Sequence, residues 1–132
     1  MKINEIAFTG YPVTDMPRAR AFYEGVLKLG ASRVFGDSAR QWVEYDLGAA
    51  TFAVSNMSVE DWKPSSDGPS IAFEVDEFDQ AVTSLKENKV QFKAEPLETP
   101  VCRMAVVTRW QFCCDSQEEN SLKRPFTDVY PC

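Results

Sequence analysis

The segment QWVEYD at residues 41–46 holds the side chains best suited to binding chemistry in this sequence. Alternation along a strand places Trp42 and Glu44 on one face, and Val43 and Tyr45 on the other. An indole ring beside a carboxylate is typical of a site for a polar or cationic organic molecule. We therefore predict that Trp42 and Glu44 contribute to one ligand-binding site.

Four other residues are candidates for the same ligand site. Phe8 and Phe52 lie on or near the same predicted sheet, although each of them could instead belong to the hydrophobic core. Trp62, in the predicted linker, could close over a ligand or pack on its own domain. Arg103 lies inside the apolar run VCRMAVV, where it either faces water at an edge or binds an anion in the cavity.

The residue types that are missing limit the possible chemistry. The sequence contains no histidine, which excludes imidazole acid–base catalysis, histidine-activated nucleophiles and histidine metal ligands. Its four cysteines form no C-x-x-C pair, and adjacent Cys113 and Cys114 would point to opposite faces of a strand. A zinc site is therefore not expected, and any metal would depend on oxygen or thiolate ligands.

Composition predicts one acidic globular domain over residues 1–132, because 44% apolar residues suffice for a single core at this length. The net charge of −6 argues against nucleic acid as a partner, since phosphates are bound by Lys and Arg, and it suits a cationic small molecule. No apolar run could span a membrane, and MKINEIAF does not resemble a secretory signal. We expect a cytoplasmic protein without a membrane partner.

An internal repeat predicts how the candidate residues are positioned. The sequence IAF at residues 6–8 recurs at residues 71–73, each time before an acidic segment and a helical pattern. Each copy predicts a strand, an amphipathic helix and then three strands. The predicted organisation is a first module over residues 1–57, a linker over 58–69, a second module over 70–114 with an atypical last strand, and an irregular tail over 115–132.

The first predicted helix should cover one face of its sheet. Thr14 or Asp15 can cap its N-terminus, and the proline at position 17 fits its first turn. Its apolar stripe is expected at Phe22, Val26 and Leu29.

Four segments resemble, in their order and spacing, the vicinal oxygen chelate superfamily, which includes glyoxalase I, extradiol dioxygenases and bleomycin resistance proteins. They read PVTDMPRARAFYEGVLKLG, WVEYDLG, GPSIAFEVDEFDQAVTSLKENKV and ETPVCRMAVVT, and the resemblance covers roughly residues 3–108. It implies an α+β fold in which two paired βαβββ modules form a curved mixed sheet around a pocket. It also implies a small-molecule ligand and a homodimer.

The resemblance further implies where a metal could bind. In metal-dependent relatives, four inward-facing His, Glu or Gln side chains hold a divalent ion that polarises the substrate oxygens. The first three positions correspond to Glu5 on the opening strand, Glu44 and Ser70, and the fourth lies on the final strand. Two carboxylates and a serine could hold Mg²⁺, Mn²⁺ or Ni²⁺ with water, with Glu44 also acting as the catalytic base. Alternatively, both glutamates are ordinary polar residues on a half-solvated sheet.

The sequence after Thr108 departs from the family pattern, which continues with a D-P-D-G-N turn. The residues QFCC are still apolar enough to form the last strand. Codons for residues 109–123 can be chosen so that a neighbouring frame spells a D-G-N turn, a strand and a stop. We hypothesise that residues 109–132 are translated out of the ancestral frame, and the gene sequence tests this idea.

Three functions are compatible with these observations. The first is a metal-dependent enzyme of the lyase or dioxygenase type, and the second is a metal-free protein that sequesters a cationic small molecule. The third is an inactive member of the superfamily. The missing histidine argues against the enzyme, whereas it fits the metal-free binder together with the charge of −6. Fold resemblance alone does not choose between them.

Overall fold

The computed structural model describes residues 1–2, 4–58, 60–65, 70–99 and 102–107, together with the backbone of 111–115. The chain divides into two compact units, Met1–Pro69 and Ser70–Cys132. Each unit contains a four-stranded mixed sheet and a helical segment, which confirms the predicted α+β class. Within the described part of the chain, no helix is long and apolar enough to cross a membrane.

The first unit has the predicted order of a strand, a helix and three strands. Its elements are β1 (Thr9–Pro12), α1 (Met16–Arg20), which continues as a π-helix over Ala21–Val26, β2 (Arg33–Gly36), β3 (Gln41–Leu47) and β4 (Ala50–Ser55). The sheet order is β1-β4-β3-β2, with β1 parallel to β4 and the other pairs antiparallel. Gly36 and Gly48 lie at the turns between strands, and their φ angles of 99° and 60° favour glycine.

The second unit repeats this topology. Its elements are β5 (Ala72–Glu74), α2 (Phe78–Glu87), β6 (Leu97–Glu98), β7 (Cys102–Val106) and β8 (Gln111–Asp115). The order β5-β8-β7-β6 again pairs the first and last strands in parallel. The internal repeat and the two βαβββ modules are therefore confirmed, as is the last strand at QFCC. Trp110 and the tail over 116–132 lie outside the described residues.

The first helix begins as predicted, and its most deeply buried residues include Tyr23, which the sequence did not single out. Of the two predicted caps, Asp15 acts, because its Oδ1 accepts a hydrogen bond from the backbone N–H of Arg18 at 2.9 Å. Tyr23 is 2% exposed, whereas Phe22 is only partly buried. The predicted stripe of Phe22, Val26 and Leu29 is partly buried, and the most buried side chain of the π-helical segment is Tyr23, which the stripe did not include.

The core of the first unit lies between this helix and one face of its sheet. Val43, Tyr45 and Phe52 are at most 1% exposed on that face, and Tyr23 packs against Tyr45 and Phe52 with ring centroids 5.7 and 5.0 Å away. Alternation along β3 therefore directs Glu44 to the opposite face. This arrangement confirms the predicted division of residues between the two faces of β3.

The segment VQFKAEPLE at residues 90–98, where the repeat predicts a strand after the helix, contains a much shorter strand in the structure. Only Leu97–Glu98 pairs with β7, apart from one isolated bridge between Phe92 and Val107. Pro96 immediately precedes β6, and a proline lacks the N–H that a regular ladder would require.

Candidate functional site

The face of the first sheet that points away from the helix carries the candidate site. The strand register aligns Glu44, Ala53 and Gly10 in one row across β3, β4 and β1. Trp42 lies two residues before Glu44 on β3, and Phe35 of β2 is its partner across the sheet. The large side chains of Trp42 and Phe35 therefore lie near two small residues, Gly10 and Ala53.

Three aromatic side chains form a partly exposed cluster on this face, which we call the aromatic surface: Phe8, Trp42 and Trp62. The edge of one ring faces the other in the Phe8–Trp42 pair, with centroids 5.2 Å apart at 87°. The rings of Trp42 and Trp62 are stacked, with centroids 6.4 Å apart at 28°. Phe8 is 51% exposed and Trp62 is 37% exposed, so both retain area that a ligand could cover.

Glu44 lies beside this cluster and holds one of its rings. The indole Nε1 of Trp42 donates to Oε1 of Glu44 at 2.9 Å, and Nη1 of Arg33 donates to Oε2 at 3.4 Å. The Glu44 side chain is 12% exposed, whereas that of Arg33 is 67% exposed. The carboxylate therefore orients Trp42, and its charge is balanced by an arginine that remains mostly in solvent.

Of the other residues predicted to bind a ligand, Phe52 belongs to the first unit, and Arg103 and Ser70 belong to the second unit. Phe52 is 1% exposed in the core on the opposite face, and we omit it from the site. Arg103 forms a two-point ion pair with Asp79 at 2.6 and 3.1 Å and lies 4.5 Å over the ring of Phe78. It joins β7 to α2 through this ion pair, and its role in ligand binding stays a prediction. Ser70 is exposed at the start of the second unit.

Glu5 does not lie on a strand, contrary to the prediction. The register pairs Thr9 with Phe52, so extending β1 backwards would bring Glu5 opposite Gly48, before β4 begins. Residues 4–8 precede β1 and belong to none of the strands that the structure describes, and the side chain of Glu5 is exposed.

Sequence reasoning missed Gly10, Arg33 and Phe35. The position of Gly10 beside the aromatic surface depends on the parallel pairing of β1 with β4, which the local sequence does not indicate. Arg33 and Phe35 become visible as neighbours of Glu44 and Trp42 once the register of the β2–β3 hairpin is known.

The family model of the Glyoxalase/Bleomycin resistance protein/Dioxygenase superfamily matches residues 2–116. The chain belongs to this superfamily. The match confirms the predicted resemblance and continues past Thr108 through β8. The change of reading frame stays a hypothesis, which the gene sequence will test.

Solved structures of other proteins share the fold. The glyoxalase family protein from Enterococcus faecalis is 13% identical, with a TM-score of 0.66 over 86% of this chain and 99% of that chain. TnmS3, an antibiotic binding protein from Streptomyces sp. CB03234, is 17% identical, with a TM-score of 0.68 over 88% and 99%. The trypanothione-dependent glyoxalase I of Leishmania major is 16% identical, with a TM-score of 0.63 over 86% of both chains. At these identities the similarity shows the fold alone, and no curated protein matches the sequence.

The residues at hand do not fit the divalent metal that many members of the superfamily bind. Among the residues that the structure describes, no group of three or more His, Cys, Asp or Glu side chains could hold an ion. Both carboxylate oxygens of Glu44 already accept hydrogen bonds, and Glu5 is exposed. The histidine ligands that a borderline ion prefers are absent from the whole sequence.

Three ionisable groups with shifted pKa values, Arg20, Glu24 and Tyr45, form a network between the helix and β3. Burial, followed by the charge of Glu24, raises the pKa of Tyr45, whose hydroxyl donates to Oε1 of Glu24 at 3.1 Å. The hydrogen bond from Arg20 at 2.6 Å is the main reason that the pKa of Glu24 is lowered. This network joins the helix to β3 on the face opposite the aromatic surface.

Proposed function

We propose that this superfamily member is a metal-free binding protein whose aromatic surface takes up a planar aromatic cation. The observation that carries the proposal is the combination of partly exposed Phe8 and Trp62 with Trp42, whose indole is held by the carboxylate of Glu44. Both oxygens of the Glu44 carboxylate already accept hydrogen bonds from Trp42 and Arg33, which supports a role without a metal.

Apolar burial and stacking supply the affinity in this proposal. A planar ring laid on Phe8 and Trp62 would remove exposed aromatic area from water, which contributes about 25 cal/mol for each Å². A cation over a tryptophan face adds about 0.5 to 2 kcal/mol, depending on its desolvation. Together these terms favour a flat, positively charged molecule over an aliphatic one.

Charge selects the sign of the ligand. The Arg33–Glu44 hydrogen bond is long at 3.4 Å, and the guanidinium is mostly exposed, so little stability is lost when it leaves. An amino or ring N–H group of a cationic ligand would then replace it at Oε2 of Glu44. The net charge of −6 favours the approach of cations over long range.

The similarity to TnmS3, an antibiotic binding protein, supports a binding role because it shows that this fold serves that purpose elsewhere. The same superfamily includes enzymes, and a metal-dependent activity of this chain is an outcome that the experiment below must detect.

Proflavine, a planar tricyclic cation, provides the test when it is titrated into the protein in the presence of EDTA. We expect saturable binding that weakens at least about tenfold in Trp62→Ala, equivalent to about 1.4 kcal/mol. Leu97→Ala is the matched control, since it truncates another exposed apolar side chain in the second unit. Equal binding by wild type and Trp62→Ala would contradict the proposal. Stabilisation by Mn²⁺, Ni²⁺ or Mg²⁺ that is lost in Glu5→Ala would instead support the metal-dependent enzyme.

We also propose that the protein forms a homodimer. Large apolar side chains remain exposed in both units, including Ile6 at 80%, Phe35 at 51% and Leu97 at 41%. Exposed apolar area of this kind is typical of a surface that is covered by another molecule.

A further inference from the structure

We propose that Gly10 is a positioning residue, which sets where Trp62 lies and thereby shapes the aromatic surface for its ligand. The inference rests on the proposed function for its effect on binding. Its structural part, the position of the Trp62 ring, stands on the contacts of Gly10 alone.

The backbone of β1 does not explain a glycine at position 10. Among the described glycines, only Gly36 and Gly48 have a positive φ angle, so Gly10 adopts a conformation that any residue could take. A glycine inside a strand is also unfavourable, because it loses more conformational freedom on folding and offers no side chain to pack. Another constraint must therefore account for it.

That constraint is the space taken by two indole rings. A Cβ atom on Gly10 would lie 3.1 Å from Cη2 of Trp62 and 3.3 Å from Cη2 of Trp42. Favourable carbon–carbon contacts lie at about 3.5 to 4.0 Å, so at least one ring would have to move. Both rings approach Gly10 because it has no side chain.

The two rings differ in their freedom to move. Trp42 lies on β3, and its Nε1 is tied to Glu44 by a 2.9 Å hydrogen bond. Trp62 lies outside the regular elements and is 37% exposed, so it can shift outwards at little cost. A side chain at position 10 would therefore displace Trp62 and change the spacing between the two indoles.

The neighbouring position supports the same view. Ala53 is the partner of Gly10 in the parallel register and is fully buried, although it lies on the face opposite the helix. Two adjacent small residues thus leave space on this face of the sheet for the two indole rings.

The experiment compares Gly10→Ala and Gly10→Val with Gly25→Ala. A Cβ on Gly25 would have no atom within 4 Å, so this variant is a matched glycine-to-alanine control. Two readouts are measured: the exciton couplet that stacked indoles give in circular dichroism, assigned with Trp62→Phe, and the affinity for proflavine. We expect Gly10→Ala to reduce the couplet and to weaken proflavine binding about threefold, with a larger effect for Gly10→Val.

Thermal unfolding separates this role from a structural one. Gly10→Ala should leave the melting temperature unchanged or raise it, since alanine fits the backbone and restricts the unfolded chain. Gly25→Ala should retain both the couplet and the affinity. An unchanged couplet in Gly10→Ala would overturn the inference, and so would a reduced couplet with unchanged proflavine affinity. If wild type fails to bind proflavine, the proposed function fails, and the couplet alone then decides whether Gly10 positions Trp62.

Discussion

Glu44 occupies the position where superfamily resemblance implies a metal ligand, yet in this chain its two oxygens are engaged by an indole and a guanidinium. The residue therefore has two separable tasks. Its Oε1 orients Trp42 by accepting a hydrogen bond from the indole. Its Oε2 accepts a hydrogen bond from Arg33, which a cationic ligand could replace.

Opposite substitutions at Glu44 and Arg33 should have opposite effects on proflavine affinity. Glu44→Gln retains an oxygen acceptor for Trp42 but removes the charge, so we expect binding to weaken about fivefold, or about 1 kcal/mol. Arg33→Gln removes the cation that competes for Oε2 and should tighten binding by a similar factor. Isothermal titration calorimetry measures both values. A loss of affinity in Arg33→Gln would show that the guanidinium assists the ligand rather than competing with it.

The helix of the first unit is joined to β3 by a polar contact at the edge of the core. Tyr45 is fully buried, and its hydroxyl donates to Glu24, which is also paired with Arg20. Tyr45→Phe should lower the free energy of unfolding by about 1 kcal/mol, the typical contribution of one such hydrogen bond. Urea denaturation checks the value, and Glu24→Ala, which removes the acceptor, completes a double-mutant cycle. Additive effects of the two substitutions would indicate that this hydrogen bond contributes nothing.

The same element predicts a dependence of stability on pH. The pKa of Glu24 is lowered in the folded protein from an ordinary value of 4.5, first by the hydrogen bond from Arg20. A lowered pKa stabilises the fold above the unfolded value, and this stability is lost as the pH falls through the folded value. The difference in unfolding free energy between wild type and Glu24→Gln should therefore shrink below about pH 4.5. A difference that stays constant with pH would contradict this assignment.

At the scale of the whole molecule, the repeated modules could be predicted from the sequence. Apolar side chains recur with different periods in strands and in helices, and the same order of patterns occurs in both halves of the chain. Contacts that depend on register or on tertiary packing could not be predicted in this way. The burial of Tyr23 in a π-helical turn is one such contact, and the start of β4 at Ala50, beyond the position opposite Glu5, is another. The ion pair between Arg103 and Asp79 joins residues far apart in the sequence, so the residues around Arg103 could not indicate it.

The proposed homodimer is a prediction at this scale. Sedimentation equilibrium should give a mass near twice the 14.9 kDa of the chain. Phe35→Ser removes an exposed apolar side chain of β2 and should weaken association if this face contributes to the interface. A monomer that persists at high protein concentration would exclude the homodimer.

The most direct test of the central claim is an NMR titration of the indole N–H signals with proflavine in EDTA. Trp42→Phe and Trp62→Phe assign the two signals. The proposed site predicts that both signals shift along a saturable curve, with Trp42 reporting any change at Glu44 through its hydrogen bond. Binding of proflavine that leaves both signals unmoved would contradict a site at the aromatic surface.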